Sequence, residues 1–166
     1  MMIQLHSRWT NRKLPAPKKS ELRRLAHKAA VAAGLPVEPE WDLNLLFVND
    51  KSMAVYNSEL VGHEGTTDVI TFSYFDDCDG YEAGDTMIEL IINPDAAVRE
   101  GARREGGYAR EMVLYLVHGL LHSAGEDDLS PVPRRRMRRR ERECLAILEK
   151  EFDFDAVFPA APADNA

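Results

Sequence analysis

Apolar positions along this chain follow two rhythms. Four stretches alternate apolar with polar residues or run β-branched and aromatic: "MIQLHSRW" near the start, "WDLNLLFVND" from Trp41, "VITFSYF" from Val69 and "TMIELIIN" from Thr86. Such patterning predicts strands. Between them, apolar residues recur every three or four positions, which predicts helices. "ELRRLAHKAAVAA" reads as a helix with Ser20 as its N-cap and Gly34 as its stop. Asn49 or Asp50 caps a short helix through "KSMAVYNSEL", and "GHEGTTD" reads as a loop. Asn93 and Pro94 open a helix to about Arg104, because proline suits the first helical turn. "EGG" breaks that helix. From Tyr108, "YAREMVLYLVHGLLHSAG" is a long helix, apolar at Met112, Leu116 and Leu120 and stopped at Gly125. "SPVP" caps a last helix from about Pro133 to Phe152. The acidic stretch from Phe75 to Asp85 reads as a loop or hairpin excursion.

The order β α β α β β α α α predicts an α+β fold, one mixed sheet of about four strands packed with about five helices. The 166 residues, 45% of them hydrophobic, suit one domain with a real core. That domain is expected over residues 1–152, with a disordered Pro/Ala-rich tail over 153–166. No apolar run approaches the ~20 residues of a membrane helix, and the first residues lack a signal-peptide core. Cys78 and Cys144 form no disulfide framework. The expectation is a soluble, reduced, cytoplasmic protein.

Charge complicates the choice of partner. The net charge of −7 argues against a polyanion. Salt screens over about 8–10 Å, however, so a polyanion responds to the local patch. "RRRMRRRER" (Arg134 to Arg142) packs seven arginines into nine positions. A solvated helix face is the ordinary reading of such a run. Seven arginines exceed what one face needs, which favours RNA or ribosome contact.

The chemistry gathers in "VHGLLHSAGEDD" (Val117 to Asp128). His118 and His122 stand at i and i+4, so they project from one helix face and can share one ion. Gly119 costs about 1 kcal/mol in a helix interior and so needs a packing or access reason. Gly125 lets the chain reverse and brings an acid back. Glu126, Asp127 and Asp128 are the candidates. Asp128 is favoured, because three residues after the glycine allow a full reversal; the others would orient a histidine. Two imidazoles and a carboxylate suit one Zn²⁺ and leave a position open for water.

These residues resemble the motif of the YbeY family of rRNA-maturation endoribonucleases, H-G-x-L-H-x-x-G-Y-D-H. His118, Gly119, Leu121, His122, Gly125 and Asp127 match it. "TDVITF" (Thr67 to Phe72) resembles the family's T-D-V-L-S-F, and "ELIINPDAA" resembles its strand and helix start. Asn57, Glu111 and Met137 also match in order. Two departures stand out. The family's third metal histidine falls at Asp128, which keeps a zinc site possible but makes the metal a weaker Lewis acid. The arginine that the family carries before "TDV" falls at Val61. Arg99, Arg103 or a residue of the last helix would have to replace it as a phosphate clamp.

The resemblance implies a metal-dependent endoribonuclease specific for single-stranded RNA, with His118, His122 and Asp128 holding the metal. Its role would lie in rRNA maturation, at the 3′ end of the small-subunit rRNA, and in ribosome quality control. The implied partners are single-stranded RNA, rRNA and the small ribosomal subunit, with no DNA and no membrane. His118 and Asp68 are the expected catalytic residues; Thr67 and Asp68 either shape the cleft or cap a turn. Arg134, Arg135, Arg138 and Arg139 are the expected RNA contacts. Two competing readings remain. Loss of the arginine would leave a ribosome-assembly or RNA-binding factor with weakened cleavage. The H-x-x-x-H-x-x-G-x-x-D pattern also resembles zinc peptidases, but those need a glutamate where Gly119 stands.

Overall fold

The computed structural model describes residues 3–38, 40–74 and 86–161. The expected acidic excursion from Phe75 to Asp85 lies outside the described residues, as do residues 162–166 of the tail. β1 (Ile3–Trp9), β2 (Trp41–Phe47), β3 (Val69–Ser73) and β4 (Thr86–Ile92) form one mixed sheet in the order β1-β2-β4-β3. β1, β2 and β4 run parallel, and β3 lies antiparallel on the edge beside β4. The α+β architecture is the expected one, with six α-helices among the described residues against the expected five or so.

The strand alternation sorts side chains onto two faces. Trp41, Leu43, Leu45 and Phe47 of β2 and Ile88, Leu90 and Ile92 of β4 enter the main core. Ile70 and Ile91 instead face a smaller cluster with Val48 and Met53. Met53 belongs to α2 (Asp50–Tyr56), whose N-cap is Asn49: its side chain accepts from the Ser52 N–H. The chain then passes into a single π-helical turn (Asn57–Val61) and stops at Gly62, in left-handed backbone.

α1 (Lys19–Ala32) is preceded by Lys18, with no side-chain cap, so Ser20 lies inside the helix rather than at its cap. α3 (Pro94–Gly101) ends earlier than expected. At Gly101 a Cβ would stand 2.5 Å from the Tyr108 backbone nitrogen, so the chain leaves the helix where the next one crosses it. That next helix, α4 (Gly107–Ser123), is apolar almost all round. A helix buried on every side loses its one-sided pattern, and α4 touches α1, α3, β3, β4 and the two helices that follow it. α5 (Pro131–Glu149) carries the arginines.

The folded unit extends past the expected boundary at residue 152. α6 (Phe154–Val157) follows, and Phe154, Val157 and Phe158 are buried in the main core. The Phe158 ring lies 6.3 Å from that of Phe47. A Pro/Ala-rich end hid three core residues just upstream of it. No helix among the described residues is long and apolar enough to cross a membrane.

Candidate metal centre and active site

α4 carries His118 and His122 near its C-terminal end, and helical periodicity stacks them on one face. Their Nε2 atoms lie 3.0 Å apart, with the rings nearly perpendicular. Gly125, at φ 105°, takes the left-handed conformation that turns the chain back. The Gly125 N–H donates to the His122 carbonyl and the Glu126 N–H to the Leu121 carbonyl. The reversal sets Asp128 Oδ2 3.6 Å from His118 Nε2 and 3.5 Å from His122 Nε2. The three donor atoms lie within 4.8 Å of one another. Two imidazole nitrogens and a carboxylate oxygen converging this way suit a divalent cation such as zinc.

The other two acids have other partners. Asp127 accepts from the Leu129 N–H, and the Glu126 carboxylate pairs with Arg136 at 3.1 Å. Glu126 does orient a histidine, but through its backbone: His122 Nδ1–H donates to the Glu126 carbonyl at 3.0 Å. A carbonyl only accepts, so the proton sits on Nδ1 and Nε2 offers its lone pair. His118 Nδ1 lies 3.1 Å from Glu141 Oε2 of α5. Burial pulls the His118 pKa down. The hydrogen bond to Glu141, with the charges of Glu141, Asp128 and Asp68, outweighs it, so the net shift is upward from 6.5. Glu141 was not among the expected site residues. The only signal for it was an acid inside an arginine run.

Gly119 has its packing reason. A Cβ there would stand 2.7 Å from Leu90 Cδ2, 3.0 Å from Leu90 Cδ1 and 3.2 Å from Thr71 Oγ1. α4 is pressed onto β4 at this point, and a side chain there, such as the glutamate a zinc peptidase would need, would push against Leu90 and Thr71.

His118 stands at the junction of two cavities. The larger, of ≈830 Å³, is walled by α3, α4 and α5 and includes Asp68, Glu111, His118, Asp128 and Glu141. Six arginines line it: Arg99, Arg104, Arg110, Arg134, Arg138 and Arg142. Arg99 is held by Asp50 at 2.5 Å, Arg104 by Glu100 and Glu111, and Arg110 by Glu149. Arg134 donates to the Asp128 carbonyl. Arg138 and Arg142 have no acceptor among the described residues. The smaller cavity, of ≈470 Å³, is lined by Asn57, Val61, His63, the strand β3 and both histidines. Thr67, Asp68 and His118 border both.

Helical periodicity thus divides the arginine run. Arg134, Arg138 and Arg142, four apart, face the large cavity. Arg135 and Arg139, expected beside them, do not line it; Arg139 pairs along the helix with Glu143. Arg103 lines neither cavity and pairs with Glu100. Asp68 Oδ1 accepts from the Val69 N–H at 2.7 Å, and the residue borders both cavities. Asn93, fully buried, holds that loop: its Nδ2 donates to Asp50, Thr66 Oγ1 and the Thr67 carbonyl, and its N–H donates to the Asp68 carbonyl. In the sequence Asn93 read only as a helix start.

Comparisons with known proteins show a family. A family model described as Endoribonuclease YbeY matches residues 6–149. An Endoribonuclease YbeY of Chlorobium phaeovibrioides is 30% identical over 148 residues, covering 89% of this chain and 91% of that one. One from Elusimicrobium minutum is 36% identical over 112 residues, 66% of this chain and 78% of its own. The solution structure of a Thermotoga maritima protein superposes with a TM-score of 0.53 at 19% identity, covering 90% of this chain and 93% of that one. At that identity it speaks for the fold alone.

Proposed function

This chain belongs to the YbeY endoribonuclease family, and on that premise we propose that it is a zinc-dependent endoribonuclease that cuts single-stranded RNA. In this reading its task is rRNA maturation, at the 3′ end of the small-subunit rRNA, and ribosome quality control. Its partner is the small ribosomal subunit and its compartment the cytoplasm. The observation that carries the reading is the convergence of His118, His122 and Asp128 beside a cavity with uncommitted arginines.

The three donors would hold one zinc ion, which when bound supplies Lewis-acid polarisation of a phosphodiester. The chain's own residues do the rest. Arg138 and Arg142 grip the RNA backbone in the larger cavity, as guanidinium groups grip phosphate. Arg134 joins them from one turn earlier. Asp68, between the cavities, lies where the strand must cross and can accept a proton from an attacking hydroxyl or water.

A second reading is an assembly factor with weakened cleavage. Val61 favours it, because an apolar side chain lines the smaller cavity where the family carries an arginine. The peptidase reading fails on Gly119. One experiment separates them: protein of defined zinc content is incubated with single-stranded RNA and with casein, beside His118→Ala. RNA cleavage lost in the variant is the expected result. Casein cleavage would restore the peptidase. No cleavage, with tight binding to small ribosomal subunits, would establish the assembly factor.

A further inference from the structure

The geometry points to Glu141 as a positioning residue that sets which nitrogen of His118 faces the metal. The inference rests on the zinc reading of the cluster. It also gives the arginine helix a second task, since Glu141 sits within that run.

Glu141 had another partner within reach. Arg138 stands three residues before it on α5, a spacing at which helix ion pairs form. Its carboxylate nevertheless goes to His118 Nδ1 at 3.1 Å, with its side chain only 15% exposed, and takes no other partner among the described residues. An ionised carboxylate can only accept, so the ring proton must sit on Nδ1. The Nε2 lone pair then points to the side where His122 Nε2 and Asp128 Oδ2 lie, at 3.0 and 3.6 Å. A free imidazole favours the opposite tautomer, with the proton on Nε2, which would block that nitrogen as a ligand. The two histidines solve the same problem differently. His122 uses a backbone carbonyl four residues on, beyond the reach of side-chain substitution. His118 depends on one side chain from another helix. The carboxylate also raises the basicity of the nitrogen it serves.

The test uses Glu141→Ala and Glu141→Gln in the full chain. ¹⁵N NMR of the metal-free protein, above the titration of His118, reads the tautomer. Wild type should hold the proton on Nδ1, and Glu141→Ala should move it toward Nε2. Zinc affinity is measured by competition with a chromophoric chelator. Glu141→Ala should bind about 10–100-fold more weakly, the usual effect of removing such a partner. Glu141→Gln should lose less, because its amide oxygen still accepts from Nδ1–H. A thermal melt of each metal-free variant checks the fold. Wild-type tautomer and wild-type affinity in Glu141→Ala would overturn the proposal. Should that variant not fold, the same two results in Glu141→Leu, whose side chain cannot accept from Nδ1–H, do so instead. If the wild type binds no zinc, the metal reading falls, and the tautomer measurement still decides the role of Glu141.

Discussion

His118 and His122 point their Nε2 atoms at each other across 3.0 Å, and each already has an acceptor on Nδ1. Two lone pairs that close repel unless a proton or a cation lies between them. A cation that binds the folded form and not the unfolded chain stabilises it by mass action. The gain is about 2.7 kcal/mol at free metal roughly 100-fold above Kd. Zinc should therefore raise Tm by about 5–10 °C for a domain of this size. Chelation should reverse the rise, and His118→Ala or Asp128→Asn should abolish it. Differential scanning fluorimetry with and without zinc checks this; a zinc-independent Tm in the wild type would argue against the site.

Gly119→Ala should destabilise the protein despite alanine's better helix propensity. The propensity gain is at most about 1 kcal/mol. The new methyl would stand 2.7 Å from Leu90 Cδ2, and Leu90 is 1% exposed. Overpacking of this kind costs about 1–3 kcal/mol. Urea unfolding should show a net loss of about 1 kcal/mol, and adding Leu90→Val should recover part of it. A stabilised Gly119→Ala would show that α4 can rise off the sheet at no cost.

The division of the arginine run predicts unequal salt effects. Each phosphate contact to a single strand contributes about −0.7 to the slope of log K against log salt. Arg138→Ala and Arg142→Ala should each flatten that slope by about this amount. Arg135→Ala and Arg139→Ala, off the cavity, should leave it unchanged. Fluorescence anisotropy with labelled single-stranded RNA and metal-stripped protein gives the four slopes. Equal effects at all four positions would mean that RNA lies over the outer face of α5.

Glu111 should make the fold weaken with rising pH through the acid range. It is 4% exposed, its Oε2 has no hydrogen-bond partner among the described residues, and Arg104 lies 3.5 Å from Oε1. Burial raises its pKa above 4.5, although Arg104 pulls the other way. The folded state thus holds the proton more tightly than the unfolded chain. The stability from this group is complete below pH 4.5 and is lost as pH rises through the raised folded value. Glu111→Gln should remove that component. At neutral pH the variant should match or exceed the wild type by about 1 kcal/mol, the cost of an unsatisfied buried acceptor. Denaturant melts across the acid range test it, and parallel stability curves for the two proteins would refute it.

Much of the fold was legible because its signals are local. Period-two patterning identified four strands, and Asn49 as a cap and Pro94 in the first turn after the Asn93 cap marked helix starts. Where the reading slipped, a distant neighbour decided. Gly101 ends α3 because Tyr108 of α4 crosses it. Phe154 and Phe158 find the core, which their own short segment cannot announce.

The sequence by itself determined the three candidate metal donors. Spacing of four on a helix aligns two imidazoles, and a left-handed glycine returns an acid; both are short-range consequences of backbone geometry. Only the tertiary structure decided what surrounds them. The approach of α5 to α4 brings Glu141 to His118, turns Arg134, Arg138 and Arg142 into one cavity and leaves Arg135 and Arg139 outside it. The seating of α4 on β4 explains Gly119. Such outcomes depend on how helices far apart in sequence pack together, and no local pattern encodes the angle at which they meet.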